Sequence, residues 1–227
     1  MAEQLPQGYQ AAGVYSGVKR NAAKLDLSLI VSDRPAVAVG MFTQNIVHGA
    51  PVKYNRERVP SESMRAIVVN SGVANACTGE QGYRDAVAMA EQTAAACGCA
   101  AGEALVLSTG IIGEMLPMDK IAAGIRLASS QLGSTHEHLV AAARGMMTTD
   151  TCHKIRCREI AIDGTTYGVT GLAKGAAMIG PRMATMLAVL TTDAPLTCGD
   201  ARTMLQDAVD ESFNCISVEG HRSTSDS

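Results

Sequence analysis

Residues 174–193 read KGAAMIGPRMATMLAVLTTD, and the reading of this stretch decides the fold. Gly175, Gly180 and Pro181 disfavour regular structure in its first half, because glycine is entropically costly to order and proline has no N–H to donate. Met186 to Leu190 is then a continuous apolar run closed by Thr191-Thr192, the pattern of a buried strand. A small hydroxyl residue, Thr185, therefore falls where an irregular loop enters a strand. A strand fixes a side chain and a loop leaves room beside it, which suits a nucleophile. Local pattern alone also fits an ordinary strand threonine, and more often means only that.

Working outward, the flanking segments alternate between strand and helix patterns. Upstream, Arg158–Ile162 and Thr165–Leu172 flank Asp163-Gly164, a hairpin signal. Downstream, Cys198–Ser212 is helical, with Met204, Leu205, Ala208 and Val209 on one face. Phe213–Val218 reads as a strand, and 219–227 as a polar tail. Further upstream, Leu25–Val31 and Ala36–Phe42 read as two strands joined by the turn Ser32-Asp33-Arg34-Pro35. Arg65–Asn70 and Ala104–Leu107 are short buried strands. Gly82–Cys97, Met118–Ala128 and Thr135–Met147 have helical spacing, the last with Ser134 or Thr135 as N-cap. Gln7–Val18 reads as irregular, and residues 43–51 as a loop whose His48 fits a surface role.

Three polar segments follow these elements. Ser71–Gly79, after a buried strand, fits either a backbone anion cradle or a plain strand-to-helix turn, with the turn favoured. Ser108-Thr109-Gly110 can direct a hydroxyl and a backbone N–H at one developing oxyanion, or can be a plain glycine loop. Thr148-Thr149-Asp150-Thr151 suits polar contacts or a capped turn.

Composition narrows the function classes. The chain has 227 residues, 47% hydrophobic and 18% charged, with net charge −3, enough for a large core and too apolar for long disorder. No basic tract supports nucleic-acid or anionic-membrane binding. No apolar run is long enough for a membrane span, and MAEQLPQGYQAAG lacks the basic and apolar regions of a secretory leader, so the expected compartment is the cytoplasm. Seven cysteines without a regular framework read as free thiols. Cys97-Gly-Cys99 and Cys152-His153 with Cys157 lack paired zinc-knuckle spacing, so no metal is expected. No phosphate loop, dinucleotide turn or G-x-S-x-G elbow occurs, and neither His153 nor His221 is marked as part of a triad.

Taken together, DLSLIVSD, GMFTQN, RAIVVNSGVANACTG, STGIIGEMLPMDKI, TTDT, AKGAAMIGPRMATML and SFNCISVEGHRSTSD resemble the bifunctional ornithine acetyltransferase (glutamate N-acetyltransferase) family of arginine biosynthesis. The blocks stand in the family's order from about Gly13 onward. The resemblance implies an α/β fold of the α+β type, with layered sheets flanked by helices, like ornithine acetyltransferase and DmpA. It implies self-cleavage between Ala184 and Thr185 into an α region (1–184) and a β region (185–227) that starts with the nucleophile and is shorter than the family's. It implies that Thr185 takes acetyl from N-acetylornithine and passes it to glutamate. Thr109 and Gly110 then form the oxyanion hole, and Thr148, Lys174 and Thr185 contact substrate. No cofactor is implied, with acetyl-CoA a second candidate donor. The implied assembly is an α2β2 heterotetramer in the cytoplasm. Ala177, Arg182, Val73 and His221-Arg222 depart from the family pattern. Two other classes stay open: an inactive remnant or association module, and an amidohydrolase using the same nucleophile with water as acceptor.

Overall fold

The structure is a computed structural model that describes residues 3–180, 186–220 and 223–227. Two sheets organise it. The first contains β1 (Tyr9–Val14), β2 (Leu27–Ala38), β3 (Ser61–Val73) and β4 (Ala104–Ile111) in that order. The first three are antiparallel and β3 pairs parallel with β4. A parallel pair needs a crossover, and helix α2 (Gly79–Cys97) supplies it. The second sheet is the antiparallel run β5 (Lys154–Ile162), β6 (Thr165–Lys174) and β7 (Leu187–Thr192). The remaining helices are α1 (Ala50–Arg56), α3 (Met118–Ser130), α4 (His136–Met146) and α5 (Cys198–Asp210).

Period-2 alternation sends neighbouring strand residues to opposite faces. Leu27, Leu29, Val68 and Val106 pack beneath α2 and α3, against Met89, Ala90, Ile121 and Ile125. Ile30, Val69 and Leu107 face the other way, onto Leu139, Ala142 and Met146 of α4 and onto Ile155, Leu172, Leu187 and Val189 of the second sheet. The first sheet is thus buried on both faces, which is why its strands read as unbroken apolar runs. Polar pins fix α4 to it: the Ser28 hydroxyl donates to Ala142 O at 2.6 Å and the Ser71 hydroxyl to Gly145 O at 2.5 Å.

Several expectations are met. The Asp163-Gly164 turn joins paired Ile162 and Thr165, with φ of +49° and +78°, as a two-residue hairpin turn requires. The 186–190 run enters β7, and the helices fall where their spacing placed them, with Thr135 at the α4 cap position. All seven cysteines are unpaired.

Others are corrected. Residues 27–38 form one strand rather than a hairpin. Ser32–Pro35 is a register break against β3 between Val31 and Ala36, where a proline without an N–H is tolerated. Gln7–Val18 is not irregular throughout, because β1 pairs Tyr9–Val14 with Leu27–Ser32. Its alanines and glycine lack strand propensity, but α4 lies so close that a side chain on Gly13 would collide with the Ala141 carbonyl, so tertiary packing decides. Helix α1 had no sequence signal beyond Pro51 in its first turn. Phe213–Val218 forms a short 3-10 turn and no strand. The N–H groups of Val218, Glu219 and Gly220 instead converge on Ile179 O. Of the expected α5 face only Val209 is buried.

The largest correction concerns the end of the chain. The expected polar tail is interior: Ser223, Thr224, Ser225 and Asp226 are all buried.

Candidate active site

The end of β4 sets the first wall. Register places Ser71, Gly72 and Val73 of β3 beside Thr109, Gly110 and Ile111. Thr109 is buried, and Gly110 has φ +137°, a backbone conformation that side chains disfavour. A Cβ on Gly110 would stand 2.2 Å from the Gly72 carbonyl carbon, so no other residue fits without displacing β3. The Thr-Gly motif is therefore a fixed strand end whose second position only glycine fits.

Lys174, the last residue of β6, comes to this turn from the second sheet. It is 2% exposed and its Nζ donates to Thr109 Oγ1 at 3.2 Å. Burial pushes its pKa below the usual lysine range, while Asp150 and Asp226 oppose that shift. Asp150 knits the 148–151 segment to the end of β6. Its carboxylate accepts from Lys154 Nζ at 2.7 Å, from the Gly175 N–H at 2.8 Å and from the Thr148 N–H at 3.2 Å. Burial works against its charge, but these donors win and hold its pKa below the usual carboxylate range. Thr148 is half-buried, positioned by that bond. Next to it Lys19 donates to Met147 O and Leu25 O, both at 2.6 Å, and burial lowers its pKa to about 8 against the pull of Asp26.

Thr109, Gly110, Thr148 and Lys174, four residues singled out from the sequence, thus converge from β4, β6 and the turn after α4. Ala184 and Thr185, with Arg182, His221 and Arg222, lie outside the described residues. Met186, next in the chain, is described and leads to what the sequence reading missed. Its N–H donates to Asp226 Oδ1 at 2.7 Å. The Ser227 N–H donates to Met186 O and the Ala188 N–H to Ser227 O. Residues 223–227 therefore run as an extended segment between β7 and the 43–49 loop, which holds them through Thr43 and Gly49. The available signal was the STSD string inside the last matching block, whose polar composition disguised its burial.

Other candidates play different parts. Of the Ser71–Gly79 segment, Ser71–Val73 end β3 and flank Thr109–Ile111, while the rest is the strand-to-helix turn, with Ala74 N–H donating to Ile111 O and Gly113 N–H to Ala76 O. His153 is exposed. A surface groove of about 440 Å³ beside Gly13, Gln131 and His138 shares no residue with the site.

The arrangement can polarise a carbonyl. A glycine held at positive φ, a buried threonine hydroxyl and a buried lysine meet where β6 ends beside Leu187 of β7. Fold comparison bears on the architecture. The backbone resembles L-aminopeptidase D-Ala-esterase/amidase from Ochrobactrum anthropi, a variant among the Ntn hydrolase fold. The TM-score is 0.51 over 89% of this chain and 65% of that one, at 11% identity, a likeness of fold alone. The molecule is a layered α/β protein of that broad kind.

The sequence profile of the ArgJ family matches residues 10–227, and the chain belongs to the ArgJ family. The arginine biosynthesis bifunctional protein ArgJ of Rhodopirellula baltica is 41% identical over 98% of this chain and 54% of its own length. The ornithine acetyltransferase of Mycobacterium tuberculosis, solved with ornithine, is 36% identical, with a TM-score of 0.71 over 84% of this chain and 97% of that chain. The chain spans about half the length of the curated relatives it matches. Among the described residues no helix is long and apolar enough to cross a membrane.

Proposed function

We propose that this chain carries the acyl-transfer site of an ornithine acetyltransferase, with Thr185 as a self-generated nucleophile. The observation that carries the reading is the meeting of Lys174 with the Thr109-Gly110 end of β4 in a member of the ArgJ family. Cleavage between Ala184 and Thr185 frees an α-amine whose pKa lies near neutrality. That amine takes the Thr185 hydroxyl proton as Oγ attacks the acetyl carbon of N-acetylornithine. The Gly110 N–H and Thr109 hydroxyl stabilise the tetrahedral oxyanion. The C–N bond then breaks, ornithine leaves with the proton, and an acetyl ester remains on Thr185. The amine of glutamate attacks that ester, releasing N-acetylglutamate and restoring the hydroxyl. Lys174 and the Thr148 turn face the substrate, and the lysine cation suits an α-carboxylate. The chemistry needs no resident cofactor or metal, and acetyl-CoA is a second candidate donor.

Denaturing mass with N-terminal sequencing is the first test. The reading expects a fragment beginning Thr-Met-Leu-Ala, acetyl transfer with ping-pong kinetics, and loss of both in Thr185→Ala. A chain that stays whole and transfers no acetyl group would overturn it. A second reading, as an association module, draws on individual apolar side chains left more than half exposed, Leu190, Met204 and Val218 among them. Concentration-dependent sedimentation without turnover would support it.

A further inference from the structure

We propose that Asp226 is a positioning residue for the Thr185 nucleophile, acting through the peptide N–H of Met186. The inference rests on the reading of Thr185 given above. Both polar groups of the Met186 backbone are taken by two consecutive residues of the terminal segment, its N–H by Asp226 Oδ1 at 2.7 Å and its carbonyl by the Ser227 N–H at 3.2 Å. That segment is itself pinned. Thr43 N–H donates to Asp226 O, the Thr43 hydroxyl to Ser223 O, and Gly49 N–H to Thr224 O. The clamp is therefore rigid, and it closes one residue beyond the proposed nucleophile.

The chemistry of the clamp argues for a role beyond packing. Asp226 is 0% exposed, and its Oδ2 is buried without a partner at hydrogen-bonding geometry among the described residues. A buried polar atom left unpaired is destabilising, and an apolar residue here would leave the Met186 N–H without its acceptor. The carboxylate thus holds the backbone N–H of the residue that follows the proposed nucleophile in the chain. The charged group facing it is Lys174 of β6, itself bounded by Asp150, Lys154 and Lys19. The 43–49 loop presents the Thr43 hydroxyl, while its His48 turns to Ile46 O. Burial drives the Asp226 pKa up to about 6 against the Met186 N–H, the Ser223 hydroxyl, Lys174 and Thr43.

The test uses the full chain with Asp226→Asn and Asp226→Ala. In a Thr185→Ala background, which keeps every chain whole, Met186 amide exchange is read by NMR. Loss of this one bond in Asp226→Ala should speed exchange at Met186 about tenfold, with Asp226→Asn close to the parent. The Met186 amide shift should follow pH through the Asp226 titration in the parent background and stay flat in Asp226→Asn. In chains carrying Thr185, release of the fragment that begins there should slow at least about tenfold in Asp226→Ala and recover in Asp226→Asn. Unchanged Met186 exchange in the alanine variant, a pH-independent parent shift, or cleavage at the parent rate would each overturn the assignment. A parent chain that never cuts would count against the Thr185 reading itself, and the Met186 amide would still decide on Asp226.

Discussion

Replacing Asp226 by asparagine should stabilise the folded chain, and only at neutral to alkaline pH. Burial raises this carboxyl from 3.8 to about 6, so the folded state binds the proton more tightly than the unfolded state. Its contribution to stability is then most favourable below the unfolded value and is lost as pH rises through about 6. A shift of roughly two units corresponds to about 3 kcal/mol. The amide keeps an acceptor for the Met186 N–H but cannot ionise, and any fixed loss from its poorer fit is the same at all pH values. The informative quantity is therefore the difference between parent and variant at about pH 8 minus the same difference at about pH 4, expected to be about 2.4 kcal/mol in favour of the variant because pH 4 already lies just above the unfolded value. Urea unfolding at both pH values measures it. In a domain of this size that is roughly 5–10 °C in Tm. A parent–variant difference that is the same at both pH values would refute the argument that the buried carboxylate is ionised at a cost.

Asp150 should behave with the opposite sign. Its donors hold its carboxyl below the usual range, so its contribution is present above the unfolded value and is lost in acid as pH falls through the folded one; Asp150→Asn should flatten that acid limb in unfolding titrations. Asp150→Ala leaves Lys154 and the N–H groups of Gly175 and Thr148 without their acceptor and should lower stability by about 2 kcal/mol in urea. Gly110→Ala forces a Cβ to 2.2 Å from Gly72; it should destabilise the chain by about 3 kcal/mol and stop cleavage at Thr185. Cys97, whose thiol burial pushes up to about 11, should be alkylated far more slowly at about pH 8 than exposed Cys77, Cys152 and Cys215, as intact mass over time would record.

The central strands of the first sheet were legible because they are buried on both faces. Runs such as RAIVVN can hardly be anything but interior, and Asp163-Gly164 carries its turn chemistry in two residues. Thr109-Gly110 was legible as a motif, since a glycine after a strand marks a backbone that others cannot adopt. The small residues of β1 carried no strand signal, because their reason lies in the proximity of α4, a contact far away in sequence. The α5 pattern promised a broad apolar face, but only Val209 is buried, because helical spacing does not say how much of a stripe finds a neighbour.

The sequence by itself determined four of the helices, the central buried strands, the hairpin before Lys174, the reading of its cysteines as free thiols and, through its ordered blocks, the family. Only the tertiary structure decided that Lys174 of one sheet meets Thr109 of the other, and that the STSD string is interior with Asp226 gripping Met186. The physical reason is the range of the forces involved. Periodicity and turn chemistry act over a few residues and are written locally. The burial of a lysine or an aspartate depends on partners 65 and 40 positions away, and nothing in the local composition of a polar residue says whether water or a distant backbone N–H will satisfy it.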